Sequence, residues 1–153
     1  MKNLNKIIQL FAIGINGVFI GAMLLIAVVF VPFWRALEPQ AFLDWFSVYG
    51  SRIGALMIPL GPGVLILTVI ALLLNKKKKE RLFWMLAIVF TLVNILYFPV
   101  YFLPTNTSFA EQTISIGTVS SELNHWLTYH VQRIIFAFGA LVASVIAVLT
   151  QEN

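Results

Sequence analysis

The composition of this 153-residue chain argues against a water-soluble fold, because 60% of its residues are hydrophobic and only 10% are charged, whereas soluble domains average about 25% charged residues. The net charge of +4 comes from basic residues near the N-terminus and in one loop. That distribution is typical of membrane orientation and gives no reason to expect a nucleic-acid partner. The chain has no cysteine, which excludes disulfides, thiolate metal sites and iron–sulfur clusters.

Four apolar stretches are each long enough to cross the hydrocarbon layer, which takes about 20 helical residues. They cover residues 7–31, 53–74, 82–103 and 126–149. The sequence therefore predicts an all-α fold, in which residues 1–153 form a single four-helix transmembrane bundle with the lipid bilayer as its first partner. The first stretch exceeds the roughly 7–15 residues of a signal-peptide core, so we expect it to be retained as an anchor.

Positive charge sets the expected orientation. Lys2 and Lys6 precede the first span, and residues 76–81, between the second and third spans, contain four lysines and an arginine. Because positively charged loops stay in the cytoplasm, both termini are predicted to be cytoplasmic, and residues 32–52 and 104–125 to form the outer loops. This arrangement indicates an integral protein of the bacterial inner membrane.

The first outer loop and the second span carry two structural signals. Residues 40–49 place four aromatic side chains on one helical face: Phe42, Trp45, Phe46 and Tyr49. This pattern predicts a short helix lying in the membrane interface. In the second span, the Pro59–Gly63 segment holds two prolines and two glycines. It indicates either a plain proline kink or a break that lines a ligand pocket, and in both cases it should face the bundle interior.

The glycines of the first span indicate close helix packing. Gly17 and Gly21 form a GxxxG pattern, and Gly14 lies one turn earlier. Such small residues let helix backbones approach closely in lipid. The partner helix is either another span of this chain or a second copy in a homo-oligomer.

A stripe of polar and aromatic residues makes the fourth span the most informative one. At about 100° per residue, five of its side chains fall within roughly 100° of one another on a helical wheel. These are Glu122, Trp126, Tyr129, His130 and Arg133, and the small residues Ala137, Ala140 and Ser144 continue the stripe inward. An arginine facing lipid would cost several kcal/mol, so we expect this face to point into the bundle.

The third span offers a matching polar face. Four of its residues lie within about 120° on the wheel: Thr91, Asn94, Tyr97 and Tyr101. Pro99 is expected to interrupt the helix and Pro104 to end it. Two interpretations stay open. Either the polar groups only hold the helices in register, or they build a pocket for a small hydrophobic ligand that opens outward or sideways into the bilayer.

Cofactor sites have little support in the sequence. His125 and His130 are the only histidines, and they point about 140° apart on one helix, so they cannot share a metal ion. A haem held by His130 alone is the alternative to a site without a cofactor. We find no paired intramembrane carboxylates, no phosphate-binding loop and no serine nucleophile motif.

One family shares the most specific part of this pattern. Pro104-Thr105-Asn106 follows the third span, an acidic linker comes next, and Trp126, His130 and Arg133 then form a W-x3-H-x2-R motif. In these residues the chain resembles the anthrone-oxygenase-like family of small four-helix membrane proteins. The resemblance implies oxidation of an anthrone-like aromatic substrate without an obvious cofactor. Neither the lysine loop nor the Pro59–Gly63 segment is placed in that family's pattern.

The implied chemistry gives each site residue a role. His130 would act as a general base, since its ordinary pKa of about 6.5 suits proton abstraction near neutrality, and Arg133 would stabilise the developing oxyanion. The expected substrate-binding residues are Asn94, Tyr97, Tyr101, Asn106, Trp126 and Tyr129. The alternative is a non-catalytic membrane protein that binds a lipid, a quinone-like ligand or a partner membrane protein.

Overall fold

The structure is a computed structural model that describes residues 2–150, and within that range it is all-helical. Its four long helices are α1 (Asn3–Ala36), α2 (Pro39–Leu74), α3 (Lys78–Ala110) and α4 (Ile116–Leu149). Each is long and apolar enough to cross a membrane. The predicted all-α architecture with four candidate transmembrane helices is therefore confirmed.

Two of the helices change their hydrogen-bonding pattern partway along. α1 contains a π-helical segment at Ile26–Phe30, and α3 contains another at Phe98–Phe102. Pro99 and Pro104 each lie in the first turn of a new segment of α3, the position where a helix tolerates proline. For this reason α3 continues through both prolines as far as Ala110, and the prediction that Pro104 ends the helix is wrong.

The helices are longer than the predicted spans. They have 33–36 residues each, which corresponds to about 50 Å of helix and exceeds the roughly 30 Å hydrocarbon layer. The structure accordingly places residues 40–49 in the first turns of α2, where we had expected a separate short helix. The connection between α1 and α2 is reduced to Leu37 and Glu38.

The proline–glycine segment of the second span is helical. Pro59 and Pro62 both lie inside the unbroken α2 helix, so the interpretation of this segment as a helix break is wrong. Gly61 is buried, whereas Pro59 is exposed. Only part of the segment therefore faces the bundle interior.

Two hydrophobic clusters show that the four helices run antiparallel. One joins the start of α1, the end of α2, the start of α3 and the end of α4 through Ala12, Ala71, Trp84 and Ala147. The other joins the opposite ends of the helices through Trp34, Phe42, Phe109 and Val119. We call these ends the lysine end, which carries Lys76–Lys79, and the aromatic end.

Small residues allow close packing around α4 but are not used in the same way on α1. The small residues of α4 that face the bundle are Ala137, Ala140, Ala143, Ser144 and Ala147, and all are buried. Gly17 and Gly21 are exposed, and a Cβ atom added to either would have no neighbour within 4 Å. The GxxxG pattern therefore does not pack against another helix of this chain, and contact with a second copy stays a prediction.

Candidate intramembrane binding site

A cavity of about 160 Å³ lies among the four helices, between the middle of the bundle and the aromatic end. All four helices contribute to its wall, which is mostly apolar. Its polar side chains are few, and they come from the residues Trp34, Asn106, Trp126, His130 and Arg133. A concave apolar space with a few converging polar groups is the usual form of a small-molecule site.

The polar stripe of α4 supplies the core of this site. Trp126, His130 and Arg133 follow one another at spacings of four and three residues, which places them on one helical face. All three are buried and line the cavity. The prediction that this face points into the bundle is therefore confirmed for these three residues, whereas Tyr129, which was predicted on the same face, is exposed.

His130 is held by the backbone of α1. Its Nε2 atom lies 2.9 Å from the carbonyl oxygen of Met23, just before the π-helical segment of α1. A carbonyl oxygen only accepts hydrogen bonds, so Nε2 carries the ring proton and Nδ1 keeps its lone pair. Nδ1 is buried and has no hydrogen-bond partner among residues 2–150. The ring therefore presents an unused proton acceptor.

The indole of Trp126 packs on one face of the His130 imidazole. The two rings are stacked, with centroids 4.7 Å apart and an interplanar angle of 21°. Trp126 Nε1 donates a hydrogen bond of 2.9 Å to Asn106 Oδ1. Asn106 thus positions the indole that packs on His130. The structure brings together all four residues that carry the family resemblance.

Arg133 is a buried cation without a counter-charge. Its side chain has neither an ion-pair partner nor a hydrogen-bond partner among the described residues, and its Nε atom is fully enclosed. Its main contact is with Phe102, whose ring centre lies 4.7 Å from the guanidinium carbon. A cation–π contact of this kind offsets only part of the cost of burying a charge.

Asn94 connects helices behind the cavity. Its Nδ2 atom donates a hydrogen bond of 2.7 Å to the backbone oxygen of Arg133 and lies 3.8 Å from the sulfur of Met23. This hydrogen bond joins α3 to the backbone of α4 and leaves the guanidinium of Arg133 without a partner from Asn94. Asn94 is absent from the cavity wall, so the structure gives it a helix-joining position.

The three tyrosines expected to contact a substrate lie elsewhere. Tyr97 donates a hydrogen bond of 2.7 Å to Gln132, and Tyr101 donates one of 2.5 Å to Glu122. The Tyr101 and Tyr129 rings have centroids 4.3 Å apart. These residues form a seam between α3 and α4, outside the cavity wall. The polar faces of α3 and α4 contact each other along this seam. A helical wheel shows which residues share a face, but it does not show which neighbouring helix they contact.

Trp34 and Phe102 are two of the cavity-wall residues that the sequence did not predict. Trp34 was placed in an outer loop, yet it is 1% exposed, lines the cavity and has no hydrogen-bond partner for Nε1 within residues 2–150. Phe102 lies under the guanidinium of Arg133 and also lines the cavity. Neither the continuation of α1 to Ala36 nor the cation–π contact has a sequence signal of its own.

The haem alternative does not fit this arrangement. The Nε2 atom of His130, one of its two possible iron ligands, is already hydrogen-bonded to the backbone oxygen of Met23. The cavity volume of about 160 Å³ is also below the roughly 300–1,000 Å³ of pockets for drug-sized ligands. We therefore derive no chemistry through a haem.

Comparison of the chain with models of known protein families, with curated proteins and with solved structures finds no match in any of the three. The resemblance to the anthrone-oxygenase-like family has no support from these comparisons. It stays a hypothesis that rests on Asn106, Trp126, His130 and Arg133.

Proposed function

We propose that this protein binds a small, hydrophobic, weakly acidic aromatic molecule in the cavity and holds it as its anion. The observation that supports this proposal is the unpaired, buried guanidinium of Arg133 in a mostly apolar wall. The proposal includes an inner-membrane location with the lysine end in the cytoplasm, because positively charged loops are retained there. The cavity then lies in the outer half of the membrane.

The apolar surroundings of Arg133 favour an anion with an apolar body. An uncompensated buried charge is costly, and an oxygen anion beside the guanidinium would offset that cost with charge-assisted hydrogen bonds. The aromatic and aliphatic side chains of the wall would exclude water and disfavour a strongly hydrated anion such as phosphate. Phenolates and enolates meet both conditions, since each delocalises its charge over a hydrophobic skeleton.

The proposal extends to an oxygenase reaction, as the family resemblance implies. His130 would remove a proton from a CH₂ group that a neighbouring carbonyl and an aromatic ring make acidic. Arg133 would stabilise the resulting enolate oxygen. Dioxygen would add to the carbanion carbon, the histidine would return the proton, and the hydroperoxide would lose water. In sum, CH₂ and O₂ become C=O and H₂O, with dioxygen as the oxidant.

The hydrogen bonds behind the cavity favour a second candidate, which is binding without catalysis. His130 and Asn94 each contact the backbone of another helix, and such bonds also hold a bundle in register. In that case the protein would carry or sense a lipid or a quinone-like ligand. Both candidates use the same cavity and differ in the role of His130.

The experiment that separates them compares wild type with His130→Gln and Arg133→Lys in lipid nanodiscs. Native mass spectrometry with an absorption spectrum identifies any molecule that co-purifies, and oxygen uptake is measured with 2-tetralone, a bicyclic ketone with an activated benzylic CH₂. We expect His130→Gln to fold and bind but to lose turnover. We expect Arg133→Lys to lose affinity, because lysine lacks the planar donor fork. Unchanged ligand content and unchanged rates in both folded variants would contradict the proposal.

A further inference from the structure

One position in the α2 wall of the cavity has neither a side chain nor a neighbour from another helix. α2 contributes both bulky residues and three glycines to the wall, and the glycines are Gly50, Gly54 and Gly61. A Cβ atom added at Gly54 would meet only Cδ1 of Ile58, in the same helix, at 3.8 Å. No neighbouring helix therefore closes the wall at Gly54.

The exposure of the wall residues locates an opening on the α2 side. The residues that α4 contributes to the wall are buried. On α2, Ile58 lines the cavity and is nevertheless 53% exposed, and Pro62 is exposed as well. A residue that contacts both the cavity and the exterior stands at a mouth. Because the residues around this mouth are apolar, it faces hydrocarbon.

The π-helical segment of α3 forms the other side of the mouth. α2 packs closely on α3 along Lys78–Tyr97 and along Leu103–Ala110 but has little close contact with Phe98–Phe102 between them. Phe98 and Phe102 themselves line the cavity. The two backbones thus approach closely on both sides of a stretch where they lie further apart, and the side chains of Phe98 and Phe102 occupy that stretch. We call this stretch the α2–α3 window.

The volume of the cavity limits what can be enclosed. An apolar cavity of about 150 Å³ in another protein holds one benzene molecule, and the cavity here measures about 160 Å³. One aromatic ring with its acidic group fills that space, and the three fused rings of an anthrone exceed it. Any larger ligand must extend through the α2–α3 window into the bilayer.

The geometry points to a more specific ligand class: an amphiphile with a single-ring, phenol-like acidic head at Arg133 and an alkyl chain that leaves through the α2–α3 window. This inference rests on the proposed function and narrows its ligand. The alkyl chain of the ligand stays in hydrocarbon before and after binding, so the acidic head enters sideways from the membrane without crossing water.

Tryptophan emission provides a direct test in lipid nanodiscs. In a Trp45→Phe background the remaining tryptophans, Trp34, Trp84 and Trp126, are 1%, 0% and 5% exposed, so a brominated molecule dissolved in the bilayer does not reach them. A bromine atom inside the cavity would contact Trp34 and Trp126 and quench their emission. The probes are 4-bromophenol, which has no chain, and 2-bromo-4-dodecylphenol.

Two glycines of α2 offer a matched pair of variants. Gly54→Leu places a side chain in the window, whereas Gly63→Leu makes the same change where an added Cβ has no neighbour within 4 Å and no cavity wall is formed. We expect Gly54→Leu to weaken quenching by 2-bromo-4-dodecylphenol by at least about tenfold in concentration, as overpacking at this site implies. Gly63→Leu should stay within about twofold of wild type, since it leaves the cavity unchanged.

Each outcome bears on a different claim. Quenching by 4-bromophenol alone would overturn the alkyl-chain inference and leave the proposed function standing. Equal quenching of wild type and Gly54→Leu by the dodecyl probe would overturn the window. No quenching by either probe would contradict the proposed function itself. Melting curves check that each variant is folded. If Gly54→Leu unfolds, the smaller change Gly54→Val replaces it, and we expect a smaller loss of quenching by 2-bromo-4-dodecylphenol.

Discussion

Replacement of Arg133 by methionine is predicted to stabilise the ligand-free protein, although the arginine lies at the centre of the candidate site. Arg133 is only 7% exposed and has no counter-charge within residues 2–150. Methionine is similarly long and flexible and fills apolar space well. The substitution therefore removes an uncompensated charge without opening a large cavity.

The expected size of this effect follows from two opposing terms. An arginine at the centre of a transmembrane helix costs about 2.5–3.5 kcal/mol on insertion scales. The contact with Phe102, at 4.7 Å, returns about 2 kcal/mol of this cost, the value for a desolvated cation–π pair. The difference leaves a net cost of roughly 1 kcal/mol that methionine removes. In a protein of this size, that gain raises the melting temperature by about 2–4 °C.

Thermal unfolding in identical nanodiscs measures this shift, with ligand content checked in the same samples by native mass spectrometry. Arg133→Lys serves as the control, because it keeps the charge and should show no such gain. A loss of about 1 kcal/mol or more in Arg133→Met would refute the reasoning. It would mean that the guanidinium holds the bundle together and that the structural interpretation of the polar stripe is right.

Two further predictions concern the indole support and the topology. Asn106→Leu leaves Trp126 Nε1 without its acceptor and should lower the free energy of unfolding by about 1–3 kcal/mol. In a Trp126→Phe background, which has no indole N–H, this loss of stability should largely vanish. An equal loss in both backgrounds would show that the hydrogen bond is not its cause. Reporter fusions at Lys78 should report the cytoplasm and fusions at Ser115 the exterior, and the reverse result would move the cavity to the inner half of the membrane.

The burial of the three polar-stripe residues of α4 was predictable from the sequence. Trp126, His130 and Arg133 repeat at helical spacing, and burying an arginine inside the bundle is less costly than exposing it to lipid. The four spans followed from length and hydropathy alone. These inferences depend on the hydropathy and the helical spacing of residues over a long segment, and both can be read directly from the sequence.

The partners of these residues were not predictable in the same way. His130 contacts the backbone oxygen of Met23, and a backbone atom has no residue-type signal. Tyr97 and Tyr129 lie at the edges of their polar faces, where a small rotation of the helix decides whether a side chain faces the cavity or the neighbouring helix. Trp34 joined the cavity because α1 runs to Ala36, five residues beyond the predicted span.

The central claim is that the cavity selects a weak acid through Arg133, and equilibrium binding of a matched pair of ligands tests it most directly. 4-Methylphenol and 4-methylanisole share the same single ring, but only the first has an acidic proton. Wild type should bind 4-methylphenol about ten to a hundred times more tightly, as a charge-assisted hydrogen bond implies, and Arg133→Met should bind the two about equally. Equal affinities in wild type, or an undiminished preference for 4-methylphenol in Arg133→Met, would contradict the claim.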